Sequence, residues 1–323
     1  MNTEFVLQDN QVGTVYDAAD LPESFTWSGK IRDQPGKLSF SVVRDETLKF
    51  YEGSRTRLIL DGKKLFFGTV FEKNRTTFDK TSVIAYDQMR YLKNEDTEVF
   101  PVGTASQRFE YLCKKWQLQY RVVHPSTHLL PEEPFDKKSI MDMIQRSIDR
   151  TLIDAGKWYM VRDNFGTLEF VDIAQLKTNL VLAPDSLMTG FSYKTSIDKE
   201  TYNQIKLYRD NKESGKRDVY IVKDSATIDR WGLLQFTESM DEEMTDAQIR
   251  ERAERLLLLH NRVSRTLSLT CVGDWRVMPG AGVWVETALD DMKLSRYMIC
   301  HSVEHEMRNR EHMMKVGLEV AEE

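Results

Sequence analysis

The chain has 323 residues, with 45 Lys+Arg against 51 Asp+Glu and a formal net charge of −6. An apolar fraction of 41% with only 16 Gly and 8 Pro is that of a folded chain and excludes a disordered, low-complexity or collagen-like one. The length points to two or three domains, and an acidic balance with intermixed signs excludes a phosphate-gripping surface of clustered Lys and Arg.

Apolar runs stop at lengths such as Leu256–Leu259, so no membrane span of about 18 residues is expected. The opening residues MNTEFVLQDNQ have no basic start followed by an apolar run, so no signal peptide is expected. Cys113, Cys271 and Cys300 are odd in number and far apart, which fits free thiols in a reducing compartment.

The first ninety-odd residues read as an antiparallel β module. Leu38, Phe40 and Val42 alternate with polar neighbours, the period-two mark of a half-buried strand. Asp61-Gly62 separates two apolar runs and is a favoured pair for a type I′ hairpin, because both central positions need positive φ. Ser82–Tyr86 alternates again and runs into what reads as one helical turn.

The pattern then becomes helical. Thr104 and Gln107 have capping-box spacing, followed by Ala105, Phe109, Leu112 and Trp116 on one face. A loop carrying Pro125, Pro131 and Pro134 follows. A second helix is predicted from Ser139, with Ile140, Ile144, Ile148 and Leu152 inward and Gly156 as its stop. WYMV and TLEFVDI then form a hairpin across Asp163-Asn164-Phe165-Gly166.

From about Ser196 the chain returns to strands with one helix among them. That helix starts at a second capping box, Thr245 to Gln248, and carries Ile249, Ala253, Leu256, Leu257 and His260 along one stripe. Lys206–Lys223 interleaves Arg209, Lys212, Lys216 and Arg217 with Asp210, Glu213 and Asp218, and reads as a solvated hairpin. The remaining strand material is TLSLTCVG, VWVET, RYMICHSVEH and MMKVGLEV, with a turn at Pro279-Gly280-Ala281-Gly282.

The sharpest chemical motif is His301-Ser302-Val303-Glu304-His305, the H-x-x-E-H pattern of inverted zinc peptidases. It needs a helix. Here Tyr297, Ile299, His301, Val303 and His305 alternate with Met298, Cys300, Ser302 and Glu304, which predicts a strand. Residues four apart on a strand are about 13 Å apart, whereas zinc takes ligand nitrogens at about 2.1 Å. Gly215-Lys216 lacks the rest of a phosphate loop, and no G-x-S-x-G or C-x-x-C occurs. Glu132-Glu133 and Asp290-Asp291 read as solvated acids in loops, and Cys113 and Cys271 as small buried hydrophobes. Trp27, Trp158, Trp231, Trp275 and Trp284 read as core or interface. Asn74-Arg75-Thr76 has the form of a glycosylation sequon without a secretory signal to give it meaning. No residue is assigned a catalytic, cofactor or metal role.

Several stretches taken together resemble phage tail hub proteins of the XkdQ/YqbQ type, found in contractile-tailed phages and phage-like particles. They are FFGTVFEKNRTTFDKTSVIAYDQMRYLKN, of which AYDQMRYLKN is the most distinctive part, SIDKETYNQIKLYRDNKESGKRDVYIVKDSATIDRWGLLQ, and RTLSLTCVGDWRVMPGAGVWV. Segment order and length agree, and no lysozyme-like or peptidase insert is visible.

The resemblance implies a β-rich α+β chain with two antiparallel β-barrel-like tube modules, residues 1–95 and 196–323, around an α+β middle, 96–195. It implies a homotrimeric, non-enzymatic baseplate hub joining the six-fold tail tube to the three-fold spike, with no cofactor. Implied partners are the tube, spike or tip, baseplate wedge and tape-measure proteins, with DNA only as passing cargo and no membrane insertion. Implied location is the virion tail baseplate, assembled in the host cytoplasm. The acidic balance suits a channel through which DNA must slip. Two other readings stay open: a cell-wall-cleaving tail enzyme using His301 and His305 or dispersed acids, and a receptor- or glycan-binding tail component.

Overall fold

The strands expected from the period-two runs are present in the computed structural model, which describes residues 3–19, 22–43, 47–75, 79–198, 200–211, 216–242, 244–288, 293–309 and 311–319. Asp290-Asp291, Lys212, Glu213, Gly215 and Thr76 of the sequon lie outside the described residues. The chain divides into two compact units: residues 1–192 with 268–319, and residues 193–267 with 320–323. This division differs from the three segments expected above.

The first unit begins with seven strands: β1 (Thr3–Gln8), β2 (Val15–Asp17), β3 (Pro22–Lys30), β4 (Lys37–Val43), β5 (Arg55–Leu60), β6 (Lys63–Asn74) and β7 (Lys80–Tyr86). Their neighbours run β3-β4-β7-β6-β5-β1-β2, all antiparallel. Leu38, Phe40 and Val42 of β4 are all buried, as their alternation requires. The β5–β6 turn has φ of 45° at Asp61 and 77° at Gly62, the pair of positive values a two-residue hairpin of this hand demands. Phe5 packs edge-on against both Phe25 and Phe40, with ring centroids 4.8 Å apart in each pair. A short 3₁₀ segment, Gln88–Lys93, follows with Asp87 as its cap.

The next stretch contains β8 (Glu95–Phe100), β9 (Gly103–Thr104), α1 (Ala105–Lys115), β10 (Tyr120–Val122), β11 (Leu129–Leu130), β12 (Glu133–Ser139), α2 (Ile140–Ala155), β13 (Tyr159–Asp163) and β14 (Leu168–Asp172). Thr104 and Gln107 form the expected reciprocal capping box, and Gly156 ends α2 in the left-handed region at φ 66°. Phe109, Leu112, Ile140, Ile144 and Ile148 share one core with Phe170. Burying one such side chain is worth about 1.5–3 kcal/mol. The proline-bearing stretch is not wholly a loop. β11 and β12 pair with β9 and β8, and Pro134 is tolerated because β12 is an edge strand with a bulge between Phe135 and Lys138.

β15 (Lys177–Leu182) and β16 (Met188–Ser196) lead toward the second unit. That unit holds β17 (Gln204–Asn211), β18 (Lys216–Lys223), α3 (Ser225–Trp231), β19 (Gln235–Ser239) and α4 (Asp246–His260). β17 is flanked by β18, antiparallel, and β19, parallel. Ile205 and Leu207 of that sheet pack with Ile249 and Ala253 of α4. The 206–223 hairpin is therefore present, with Arg209 paired to Asp218 and Asp246 at 2.9 Å each. Two helices rather than one occur here, because α3 is capped by Asp224 through the amides of Ala226 and Thr227.

β20 (Ser264–Val272), β21 (Gly282–Ala288), β22 (Lys293–Arg308) and β23 (Glu311–Glu319) complete the chain. β22 pairs with β3 along Ser302–Arg308, so strands from the two ends of the sequence belong to one sheet, thirteen-stranded among the described residues. The architecture is strand-rich α+β. No helix among the described residues is long and apolar enough to cross a membrane.

Candidate functional site

His301 and His305 lie on β22, a strand, so the helical premise of the H-x-x-E-H pattern fails. The constant alternation expected there also fails. Leu294, Met298 and Cys300 are buried before residue 301, and Val303, His305 and Met307 after it. The reason is a bulge: Cys300 faces Leu318 and Ser302 faces Gly317, so one extra residue on β22 reverses which parity points inward. His301 sits at that bulge against Trp158, ring centroids 5.6 Å apart.

His305 is fully buried. Its Nε2 donates to the Val277 carbonyl at 2.8 Å, and its Nδ1 accepts from His312 Nε2 at 2.9 Å. Trp275 lies over both rings at centroid distances of 4.2 and 4.5 Å. Burial pushes the His305 imidazole down to about 4, and burial likewise lowers His312. The pair is a neutral structural unit at neutral pH, and both ring nitrogens of His305 are committed.

Beside this cluster lies a cavity of about 200 Å³ within the first unit. Trp27, Met160 and Trp275 form apolar wall, Asp87 and Asp163 acidic wall, and the exposed Lys30 and Lys64 also line it. A recess that combines apolar walls with perturbed acids is the default location for a binding site. Asp87 Oδ2 accepts the Gly36 amide at 2.8 Å, and Oδ1 the Met89 amide at 3.0 Å. Burial, with Asp163 nearby, still pushes its carboxyl well above the carboxylate range. Burial raises Asp163 to about 6 against the amides of Gly166 and Gln88. Asp163 Oδ1 accepts from Gly166 N–H at 2.8 Å, while its buried Oδ2 has no hydrogen-bond partner among the described residues.

Two of the neighbouring cations have partners of their own. Arg162 donates to Glu169 at 2.8 and 3.0 Å. Lys64 Nζ lies 5.3 Å from the Phe165 ring centroid. Burial by itself would raise Glu169, but Asn164, Arg121 and Arg162 outweigh it and hold the group below its ordinary value.

Glu133, read from sequence as a solvated acid, is 7% exposed and bound by three arginines. Arg108, Arg146 and Arg150 reach it at 3.3, 2.6 and 3.0 Å. Local spacing could not show this, because Arg108 arrives from α1 and the other two from α2. Glu132 is exposed. Cys113 and Cys271 are buried as expected, with thiols pushed up to about 12 and about 11 by burial. Trp27 is buried, and Trp158, Trp231, Trp275 and Trp284 are half-buried. Among the described residues no group of three or more His, Cys, Asp or Glu is placed to hold a metal ion. Sequence reasoning missed Asp87 and Asp163; the only signals were the cap position of the one and the hairpin position of the other.

This strand-rich arrangement is the fold of phage tail proteins. The crystal structure of the 43 kDa tail protein of prophage MuSo2 from Shewanella oneidensis superposes with a TM-score of 0.72 at 12% identity, covering 98% of each chain. Residues 25–319 match the model of the YqbQ-like family, and the chain belongs to that family. It is 25% identical to YqbQ of Bacillus subtilis over 305 residues, covering 92% of each chain. It is also 25% identical over 307 residues to XkdQ of the phage-like element PBSX of Bacillus subtilis, with the same coverage.

Proposed function

We propose that this chain is a structural component of a phage tail or phage-like particle: the baseplate hub of a contractile tail, performing no reaction itself. The observation that carries the reading is the match over essentially the whole chain, both to a tail-protein fold and to XkdQ of a phage-like element. In this reading the N-terminal and C-terminal strand sets act as two barrel-like tube modules and the helix-containing stretch between them as an insert. Three chains then present six modules to the six-fold tube and a three-fold face to the spike. Wedge proteins meet the outside, the tape-measure protein and the passing genome the lumen. Assembly takes place in the host cytoplasm, without membrane insertion.

The work of such a hub is geometric. A permanent trimer of this kind buries on the order of 2,000 Å² or more per interface, largely apolar. Exposed side chains such as Val99, Val102, Leu129 and Phe191 are available for it. A non-catalytic role is supported by the commitment of both His305 nitrogens, which leaves the most suggestive motif without a free ligand atom.

Native mass spectrometry, and electron microscopy of the chain mixed with its tube protein, test the reading. The expected outcome is a trimer, or three-fold collars on tube ends. A chain that forms neither, and instead clears peptidoglycan in zymograms with stoichiometric metal bound, overturns it.

A further inference from the structure

Around Glu133 the charges do not balance. Arg108 of α1 places Nη1 3.3 Å from Glu133 Oε2. Arg146 of α2 donates from Nε to Oε1 at 2.6 Å, and Arg150, one turn further on, sets Nη1 3.0 Å from Oε2. Guanidinium groups stay charged at any physiological pH, so three positive charges face one negative. Burial lowers Arg108 below the ordinary guanidinium value and Arg150 adds to the effect, while Glu133 opposes it. The acids nearby on α2 have other partners. Asp149 is within electrostatic reach of Arg146, but it pairs with Arg32 and accepts from Gln145, both at 2.9 Å. Asp154 faces His128 at 3.4 Å, and Glu132 and Asp142 are exposed.

The three arginines differ in access. Arg108 is closed in: Nη2 donates to the Pro131 carbonyl, the guanidinium lies 5.1 Å from the Phe100 ring centroid, and Nε has no acceptor among the described residues. The side chains of Arg146 and Arg150 are 55% and 33% exposed. Arg146 uses Nε on Glu133 and keeps its Nη1/Nη2 fork, and Arg150 keeps Nε and Nη2, all without an acceptor among the described residues. Because the two are pinned to opposite oxygens of one carboxylate, their free donors stand side by side. Such a fork takes a planar carboxylate through two parallel bonds, and holding it in place beforehand reduces the ordering cost of binding. We propose that Arg146 and Arg150, held by Glu133 and backed by the charge of Arg108, form a docking site for an acidic side chain of a protein partner. The partner's carboxylate bonds to the Arg146 fork and to Arg150. Nucleic acid is a poorer match, because its affinity is built from many phosphate contacts and the chain carries a net charge of −6. The site goes beyond the hub reading and does not depend on it.

Arginine side-chain NMR of the full chain, ¹⁵N-labelled at arginine and held at constant ionic strength, tests the site. The probe is acetyl-Glu-Glu-amide, the neutral control acetyl-Gln-Gln-amide, and the competing oxyanion inorganic phosphate. The Nε–H resonances of Arg146 and Arg150 are expected to shift saturably with the glutamate peptide and to stay in place with the glutamine peptide. Arg121, exposed and paired with Glu169, is the internal control and should not respond. Arg146→Lys keeps the charge but removes the fork, and should weaken binding read at Arg150 about tenfold. The proposal is overturned by the absence of a saturable shift at Arg146 and Arg150, by an equal shift at Arg121, by unchanged affinity in Arg146→Lys, or by saturation with phosphate alone. The decisive titration is made on the wild type, so a variant that fails to fold does not blunt the test.

Discussion

Acidification is expected to withdraw a defined amount of stability through His305. The imidazole is sealed between Trp27 and Trp275 with both nitrogens bonded, so the folded chain binds a proton there only near pH 4, whereas the unfolded chain does so near 6.5. A folded value below the unfolded one means that the unfolded chain takes the proton first. The contribution is therefore complete above about 6.5 and is lost as pH falls toward 4, amounting to about 3 kcal/mol. Asp163 acts in the opposite sense. Its raised folded value of about 6 favours the folded chain at low pH, and that advantage disappears as pH rises from the ordinary 3.8 through about 6. The wild-type curve alone is thus flattened, and the difference from His305→Gln isolates the histidine. The variant is expected to be less stable than wild type at pH 7, with the gap narrowing by about 3 kcal/mol toward pH 4. Urea unfolding followed by tryptophan emission suits the test, because all of the tryptophans except Trp231 belong to the first unit. A gap that stays constant across that pH range refutes the reasoning.

Other perturbations have equally specific outcomes. Glu133→Gln strips the counter-charge from Arg108, which is 3% exposed, and should cost about 3–5 kcal/mol in denaturant unfolding; a loss under 1 kcal/mol would show the guanidinium re-paired or solvated. Gly166→Ala places a Cβ 2.7 Å from the Phe67 ring at a φ of +90°, and a loss of about 1–3 kcal/mol is expected by thermal unfolding. Native protein should resist iodoacetamide at all three cysteines, because burial holds their thiols near 12, 11 and 12, and should take up three labels in denaturant by mass spectrometry. Fast native labelling at Cys300 would show that β22 opens readily.

The helices were the most legible elements, since capping boxes at Thr104 and Thr245 and the Gly156 stop are complete within a few residues. α3 was missed although Asp224 supplied a cap, because its seven residues bury no apolar stripe to give a period. The prolines at 125, 131 and 134 point to a loop and hide β11, only two residues long, and β12, interrupted by Pro134 and a bulge. The extent of the C-terminal strands was legible, but their inward parity was not: the bulge at Cys300–Ser302 depends on what β23 offers opposite.

Residue order and spacing by themselves determined that the chain is strand-rich α+β, where its capped helices begin, that Asp61-Gly62 turns a hairpin and that His301 and His305 stand on a strand. All of these depend on interactions among residues a few positions apart, whose geometry is set by backbone sterics and side-chain period. Tertiary structure alone decided that β3 and β22 are neighbours, that Glu133 lies buried among three arginines and that Asp87 and Asp163 line one cavity. Each of these joins distant segments. Burial then changes the chemistry of the groups it brings together, and a local pattern carries no record of that.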